Sequence, residues 1–119
     1  MSLVGLLGLW TAGMVQAADL PKPEVCRNLI SSSFKQYVYE TICQRKEGIS
    51  VKMADRFGNM GCQQVLADDE MQAIADGALQ QAKAQIDKRT RDGDVDSAID
   101  NFCGAGADEY NAVARFYGL

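Results

Sequence analysis

Histidine is absent from this 119-residue chain, and its absence excludes several kinds of chemistry. Histidine is the commonest general base and the commonest metal ligand among side chains, and it activates serine and cysteine nucleophiles. The sequence also lacks a phosphate-binding loop, a glycine fingerprint for nucleotides and a serine-centred nucleophile elbow. The chain is therefore predicted not to be an enzyme, with no catalytic residue, no metal site and no cofactor.

Cationic surface and long apolar segments are also scarce. The formal net charge is −4, and an acidic chain of this kind is not expected to bind nucleic acid. The one long apolar run is the N-terminal MSLVGLLGLWTAGMVQA, which contains the only tryptophan, Trp10. Its stretch from Leu3 to Val15 is too short to span a bilayer about 30 Å thick, which takes about 20 apolar residues.

This run, residues 1–17, is predicted to be a cleaved signal peptide. It ends in VQA, the small-x-small pattern of a signal-peptidase site, so cleavage is expected after Ala17 or Ala18. The usual positively charged n-region is missing, since no Lys or Arg precedes Lys22. Export would leave residues 18–119 as a single helical domain, periplasmic or secreted, without membrane contact after cleavage.

Four cysteines follow the predicted signal. An even number in a small exported domain indicates two disulfides, formed among Cys26, Cys43, Cys62 and Cys103. A cysteine metal site is disfavoured because the chain has neither a C-x-x-C motif nor a histidine. Each bridge should add about 3–4 kcal/mol to the free energy of unfolding.

Helix geometry limits how these cysteines pair. If residues 24–45 form one helix, Cys26 and Cys43 lie about 25 Å apart at roughly 1.5 Å per residue and cannot form a bridge. Two pairings remain open. With the long second helix antiparallel to the first, the sequence favours Cys43–Cys62 with Cys26–Cys103 over Cys43–Cys103 with Cys26–Cys62.

Apolar residues recur at helical spacing, and no useful segment shows the alternation of a strand. The first predicted helix begins near Pro23, and the run Ser31-Ser32-Ser33 favours a bend in it. Its core-facing stripe comprises Cys26, Ile30, Phe34, Tyr37, Val38 and Ile42. Shorter helices are predicted from Ser50 through Phe57, from Val95 to Cys103 and from Asp108 to Tyr117.

The clearest helix is predicted from Asp68 to about Thr90. Acidic residues open it and basic residues close it, as the helix dipole favours. Its apolar face is rich in alanine, which allows close approach of a neighbouring helix. A carboxylate pair such as Asp68 and Glu70 is available for catalysis, but matching of the dipole is the favoured explanation. The predicted fold class is all-α, a compact disulfide-bridged bundle of four to five helices.

The segment RTRDGDVDSAIDNFC resembles the opening of a calcium-binding loop. Asp92, Asp94 and Asp96 occupy its first, third and fifth places. However, Ser97 stands where glycine makes the sharp turn, and Cys103 stands where a bidentate glutamate should close the shell. The sequence instead favours a helix cap at Asp94 or Asp96, followed by a helix that buries Val95, Ile99 and Phe102.

Binding through an exposed loop is the remaining candidate function. The segment FGNMG is flexible by composition and is tethered by Cys62, so its ordering cost is partly met before binding. The predicted partner-binding residues are Gly58, Asn59, Met60 and Gly61. A plain connector between helices is the alternative. The segment CGAGADEYN, residues 103–111, is predicted to be a turn into the last helix.

The layout of the chain, with the Cys-bearing helical segments FKQYVYETICQ and AIDNFC, resembles that of small periplasmic immunity proteins that neutralise type VI secretion amidases. The resemblance covers residues 24–119. It implies a helical protein, commonly dimeric, that inhibits a cell-wall amidase by placing a loop in its cleft, and FGNMG is the matching segment. Two alternatives stay open: a periplasmic stress chaperone and a pilotin-like secretion adaptor that binds a partner helix in a groove.

Overall fold

The computed structural model describes residues 19–119. The predicted signal peptide, residues 1–17, lies outside the described residues. The described chain forms four α-helices and one short 3-10 turn: α1 (Pro23–Cys43), α2 (Ile49–Asn59), the 3-10 turn (Cys62–Gln64), α3 (Asp68–Arg89) and α4 (Val95–Phe116). No strand occurs between residues 19 and 119. The predicted all-α, disulfide-bridged bundle is confirmed.

The central element is α1, which contacts α2, α3 and α4. Pro23 lies in its first turn, as predicted, and the helix ends where Gln44 adopts a left-handed conformation, with φ 55°. The expected bend at the serine run is absent, because α1 continues through it. Ser33 is buried, and its hydroxyl donates a hydrogen bond to the Ser50 carbonyl oxygen of α2 at 3.0 Å. Ser33 therefore contributes to the packing of α1 against α2.

The start of α2 differs from the prediction. Gly48, with φ 69°, precedes the first residue, Ile49, so Ser50 is not the N-cap. The hydroxyl of Ser50 instead donates to the carboxylate of Glu40 on α1. For α3 the predicted bounds are confirmed to within one residue, since the helix runs from Asp68 to Arg89.

The last part of the chain is one helix, and the prediction of two helices with a turn at residues 103–111 is wrong. Its glycines indicated a turn, but Gly106 serves a close contact between helices. A Cβ at Gly106 would lie 2.8 Å from Cε1 of Tyr39. The Tyr39 ring therefore fits against α4 only where the helix has no side chain.

The core lies where the other helices surround α1. Because α1 is covered on three sides, its buried residues do not follow one apolar stripe and include Gln36 and Glu40. Tyr37, predicted to be in the core, is 59% exposed. Val95 is likewise exposed, while Ile99 and Phe102 are half-buried. Tyr39, Phe57 and Tyr110 are the buried aromatic residues of the core.

The two expected disulfides are present, but the favoured pairing was wrong. Cys26 is bonded to Cys62 and Cys43 to Cys103. The prediction treated α3 as the helix that reverses the chain. Instead α2 already does so, and it returns Cys62 to the start of α1.

Because α2 has already reversed the chain, the direction of α3 also differs from the prediction. Arg27, near the start of α1, forms an ion pair with Glu70, near the start of α3. The two helices therefore run in the same direction. Helix α4 then returns along α1, and Cys103 reaches Cys43 at the far end.

Candidate functional site

The predicted partner-binding segment is a tight turn and not an open loop. Gly58 and Asn59 form the last turn of α2. The Met60 N–H donates to the Arg56 carbonyl oxygen at 2.9 Å, and the Gly61 N–H donates to that of Gly58 at 3.0 Å. Gly61 has φ 81°, a conformation that glycine adopts without strain. The local hydrogen bonds therefore give this segment a defined shape.

Exposure divides the segment into an outer and an inner part. Gly58 and Asn59 are exposed, Met60 is half-buried against the core, and Gly61 is buried. The next residue, Cys62, is 0% exposed and is held by the bridge to Cys26, which is 0% exposed as well. The predicted apolar contact, Met60, is thus mainly a packing residue.

Two exposed residues that the sequence prediction missed extend this surface. Gln63 and Gln64 lie in the 3-10 turn, four and five residues after Asn59. The outer surface therefore presents three uncharged amide side chains on a turn that a buried disulfide holds. We call this surface the amide corner, defined by Gly58, Asn59, Met60, Gly61, Gln63 and Gln64. In the sequence, the two glutamines directly after Cys62 were the feature that could have indicated this surface.

A second polar cluster is centred on Glu40, which is 8% exposed. Its Oε2 accepts hydrogen bonds from the Ile49 N–H at 2.8 Å and from the Tyr110 hydroxyl at 2.6 Å. Its Oε1 accepts from the Ser50 hydroxyl. Both carboxylate oxygens are thus engaged, and Glu40 serves to join α1, α2 and α4.

A cation and an anion cover this cluster from outside. Arg45 forms an ion pair with Glu47, and its guanidinium lies 4.6 Å from the centre of the Tyr110 ring. The hydrogen bond from Arg45 holds the pKa of Glu47 below its ordinary value. Burial, together with the hydrogen bond to Glu40, raises the pKa of the Tyr110 hydroxyl. Tyr110 therefore stays a neutral hydrogen-bond donor at physiological pH.

A groove of about 270 Å³ lies between α3 and α4, with α1 as its floor. The small side chains on the facing helices leave this space, since Ala78 and Ala82 of α3 oppose Ala105 and Gly106 of α4. The alanine-rich face of α3 has the close helix neighbour that it allows, since Ala78 and Ala82 are buried and α3 packs on α1. Between α3 and α4, however, a gap remains. The groove is also lined by Lys35, Gln36, Val38, Tyr39, Gln81, Gln85, Arg89, Phe102, Glu109 and Tyr110.

The acidic segment before α4 forms a helix cap, as predicted. The Asp94 carboxylate accepts from the Ser97 N–H at 3.1 Å and from the Ser97 hydroxyl at 2.8 Å. The hydrogen bond from the Ser97 N–H is the main cause that holds the pKa of Asp94 below its ordinary value. Within residues 19–119 no group of three or more acidic or cysteine side chains is arranged to hold a metal ion.

No helix in the described part of the chain is long and apolar enough to cross a membrane. The two disulfides are compatible with an oxidising, extracytoplasmic compartment. No family model matches the chain, and neither a curated protein nor a solved structure matches it. The fold and its polar surfaces thus define a disulfide-bridged, four-helix domain.

Proposed function

We propose that this protein is an exported, non-catalytic binding protein that recognises a protein partner through the amide corner. The observation that carries the proposal is an exposed turn held by a buried disulfide. Cys62 fixes the inner side of the turn to Cys26 on α1, while Asn59, Gln63 and Gln64 remain exposed. A turn that is ordered before binding loses little conformational entropy on association.

The chemistry of the amide corner supports a protein partner. Amide side chains both donate and accept hydrogen bonds, so they can pair with the backbone of an opposing loop or cleft. They also avoid the desolvation cost of burying unpaired charges in an interface. An inhibitor of the immunity type, acting on a cell-wall amidase in the periplasm, is the specific form of this proposal, and it rests on the resemblance in layout.

The other two functional classes have less support in the structure. A stress chaperone needs apolar surface that becomes exposed, and here two disulfides restrain such opening. A pilotin-like adaptor needs a groove that accommodates a helix about 10 Å wide. The groove beside α1 has about 270 Å³, which is too small for a helix. A larger cavity of about 890 Å³, near Arg91 and Asp94, is lined by polar and charged side chains and offers no apolar side chain to an amphipathic helix.

Capture experiments with the oxidised chain test the proposal. Asn59→Arg places a large cation on the amide corner and should abolish capture of the partner from a periplasmic extract. Asn111→Arg is the matched control, because Asn111 is exposed on α4 and is not part of the amide corner. The captured protein should be a peptidoglycan amidase that the wild-type chain inhibits. Equal capture by both variants, or no captured protein, would contradict the proposal.

A further inference from the structure

We propose that the groove between α3 and α4 binds a small, uncharged, largely apolar molecule that carries a planar amide, and that Gln36 recognises this amide. This site is separate from the amide corner. It rests on the geometry of the groove, on one buried polar side chain without a hydrogen-bond partner among residues 19–119, and on the low net charge of the rim.

Gln36 is the decisive residue. It lies on the floor of the groove and is only 4% exposed, yet no hydrogen bond joins its side-chain amide to another residue between 19 and 119. No fully buried side-chain N or O atom in that range lacks a hydrogen-bond partner. The small exposed area of Gln36 therefore includes its amide, which opens into the groove.

The other buried polar groups of the floor are already engaged. The Tyr39 hydroxyl donates to the Cys103 carbonyl oxygen at 2.5 Å, and the Tyr110 hydroxyl donates to Glu40 at 2.6 Å. The rings of Tyr39 and Tyr110 stack, with centres 5.1 Å apart, and Phe102 lies 6.0 Å from Tyr39. The floor thus offers aromatic surface around a single available amide. An amide presents a donor beside an acceptor, so its natural complement is a second planar amide.

The charges at the rim nearly balance and do not select a strongly charged ligand. Three charged side chains, Lys35, Arg89 and Glu109, line the groove and leave one net positive charge. Arg89 donates to Asn101 at 2.8 Å and to the side chain of Gln85 at 2.7 Å, so its guanidinium is engaged with neutral amides outside the floor. A single excess charge at an exposed rim offers an anion only weak attraction.

The size of the groove sets the scale of the ligand. Its volume of about 270 Å³ is just below the roughly 300–1,000 Å³ that holds drug-sized molecules. From Ala78 to Arg89 the α3 wall runs about 16 Å at roughly 1.5 Å per residue. A single aromatic ring with an amide substituent fits these dimensions.

Benzamide is a suitable probe, with toluene and benzoate as the apolar and charged comparisons. Titrated into the isotope-labelled, oxidised full chain and followed by NMR, benzamide should bind with a dissociation constant on the order of 1 mM. Its shift changes should concentrate on residues that line the groove. Toluene and benzoate should each bind about tenfold more weakly.

Two variants distinguish recognition of the amide by Gln36 from non-specific occupation of the groove. Gln36→Leu keeps a similar volume without the amide and should weaken benzamide about tenfold while toluene is unaffected. Ala105→Leu should block both probes by filling the groove. Ala112→Leu, an exposed alanine on the same helix outside the groove, is the matched control and should bind like the wild type.

Several results would overturn the inference. These are no measurable binding of benzamide, toluene binding as tightly as benzamide, or an unchanged benzamide affinity in folded Gln36→Leu or Ala105→Leu. Failure of this inference can be told apart from failure of the proposed function. Ala105→Leu leaves the amide corner unchanged, so this variant should lose benzamide binding and still capture the protein partner.

Discussion

Glu40 is the residue on which three helices converge. Its carboxylate accepts from the first N–H of α2, from the Ser50 hydroxyl and from the Tyr110 hydroxyl. In a buried position these donors have no water to replace a lost acceptor, so each would remain without a hydrogen bond if the carboxylate were removed. A single side chain thereby fixes the relative positions of α1, α2 and α4.

Removing the Glu40 carboxylate should lower the free energy of unfolding strongly, and removing only its charge should lower it less. Glu40→Leu leaves three buried donors without an acceptor, and we expect it to lower the free energy of unfolding by at least about 3 kcal/mol. Glu40→Gln should cost about 1 kcal/mol, because its amide oxygen still serves Ile49 and Tyr110 while the Ser50 hydroxyl can turn to accept. Urea unfolding measures both values. Equal stabilities of the two variants would show that the hydrogen bonds are not the cause.

The cap at Asp94 should make part of the stability depend on pH. Its pKa is lower in the folded chain than its ordinary value near 3.8. The stabilisation is therefore fully present above the unfolded pKa and is lost as the pH falls through the lowered folded pKa. The difference in unfolding free energy between wild type and Asp94→Ala should be larger at about pH 7 than at about pH 2. A difference that does not change with pH would argue against the charged cap.

At the scale of elements, α4 packs closely against α1 because Gly106 has no side chain. Tyr39 lies against Gly106, its hydroxyl is bonded to Cys103, and its ring stacks on Tyr110. These contacts hold the ring, so it cannot easily move away from an added Cβ. The same helix contains Gly104, where an added Cβ would meet nothing within 4 Å.

This pair of glycines provides a matched test. Gly104→Ala should raise the free energy of unfolding by up to about 1 kcal/mol, because alanine favours the helix. Gly106→Ala gains the same propensity but forces Tyr39 to shift, so we expect a net loss of about 1–2 kcal/mol. Thermal or urea unfolding compares them directly. If Gly106→Ala were as stable as Gly104→Ala, the close contact with Tyr39 would not limit the packing.

At the scale of the whole molecule, two disulfides lock the two ends of α1. Cys26–Cys62 ties its start to the 3-10 turn that follows α2, and Cys43–Cys103 ties its end to α4. Each should contribute about 3–4 kcal/mol in the chain-entropy model. That is a large share of the roughly 5–15 kcal/mol by which whole domains are stable. Reduction of both bridges should therefore loosen the entire bundle.

The pairing can be established without a structure. Trypsin cuts after Lys and Arg, and the sequence then places each cysteine in a different peptide. Under non-reducing conditions the peptide ending at Arg27 should be linked to 57–83, and 36–45 should be linked to 92–115. Mass spectrometry identifies both pairs. A link between 36–45 and 57–83 would instead support the pairing that the sequence favoured.

The candidate sites were predictable to different degrees. Gly58, Asn59, Met60 and Gly61 were predicted because glycines and a following cysteine mark a chain reversal, and the structure has a turn there. Their hydrogen-bonded shape was not found, because composition alone suggested flexibility. The groove beside Gln36 was missed, since a glutamine in a helix carries no sign that three neighbouring helices will bury it.

The helical class, the bounds of α3 to within one residue, a cap at Asp94 or Asp96 and the presence of two disulfides were determined by the sequence alone. Each depends on residues close in the chain or on a count of cysteines. The tertiary structure decided the disulfide pairing, the continuity of α4, the burial of Glu40 and the groove. These depend on which helix reverses the chain and on which small residues face each other, contacts between distant residues that local periodicity does not encode.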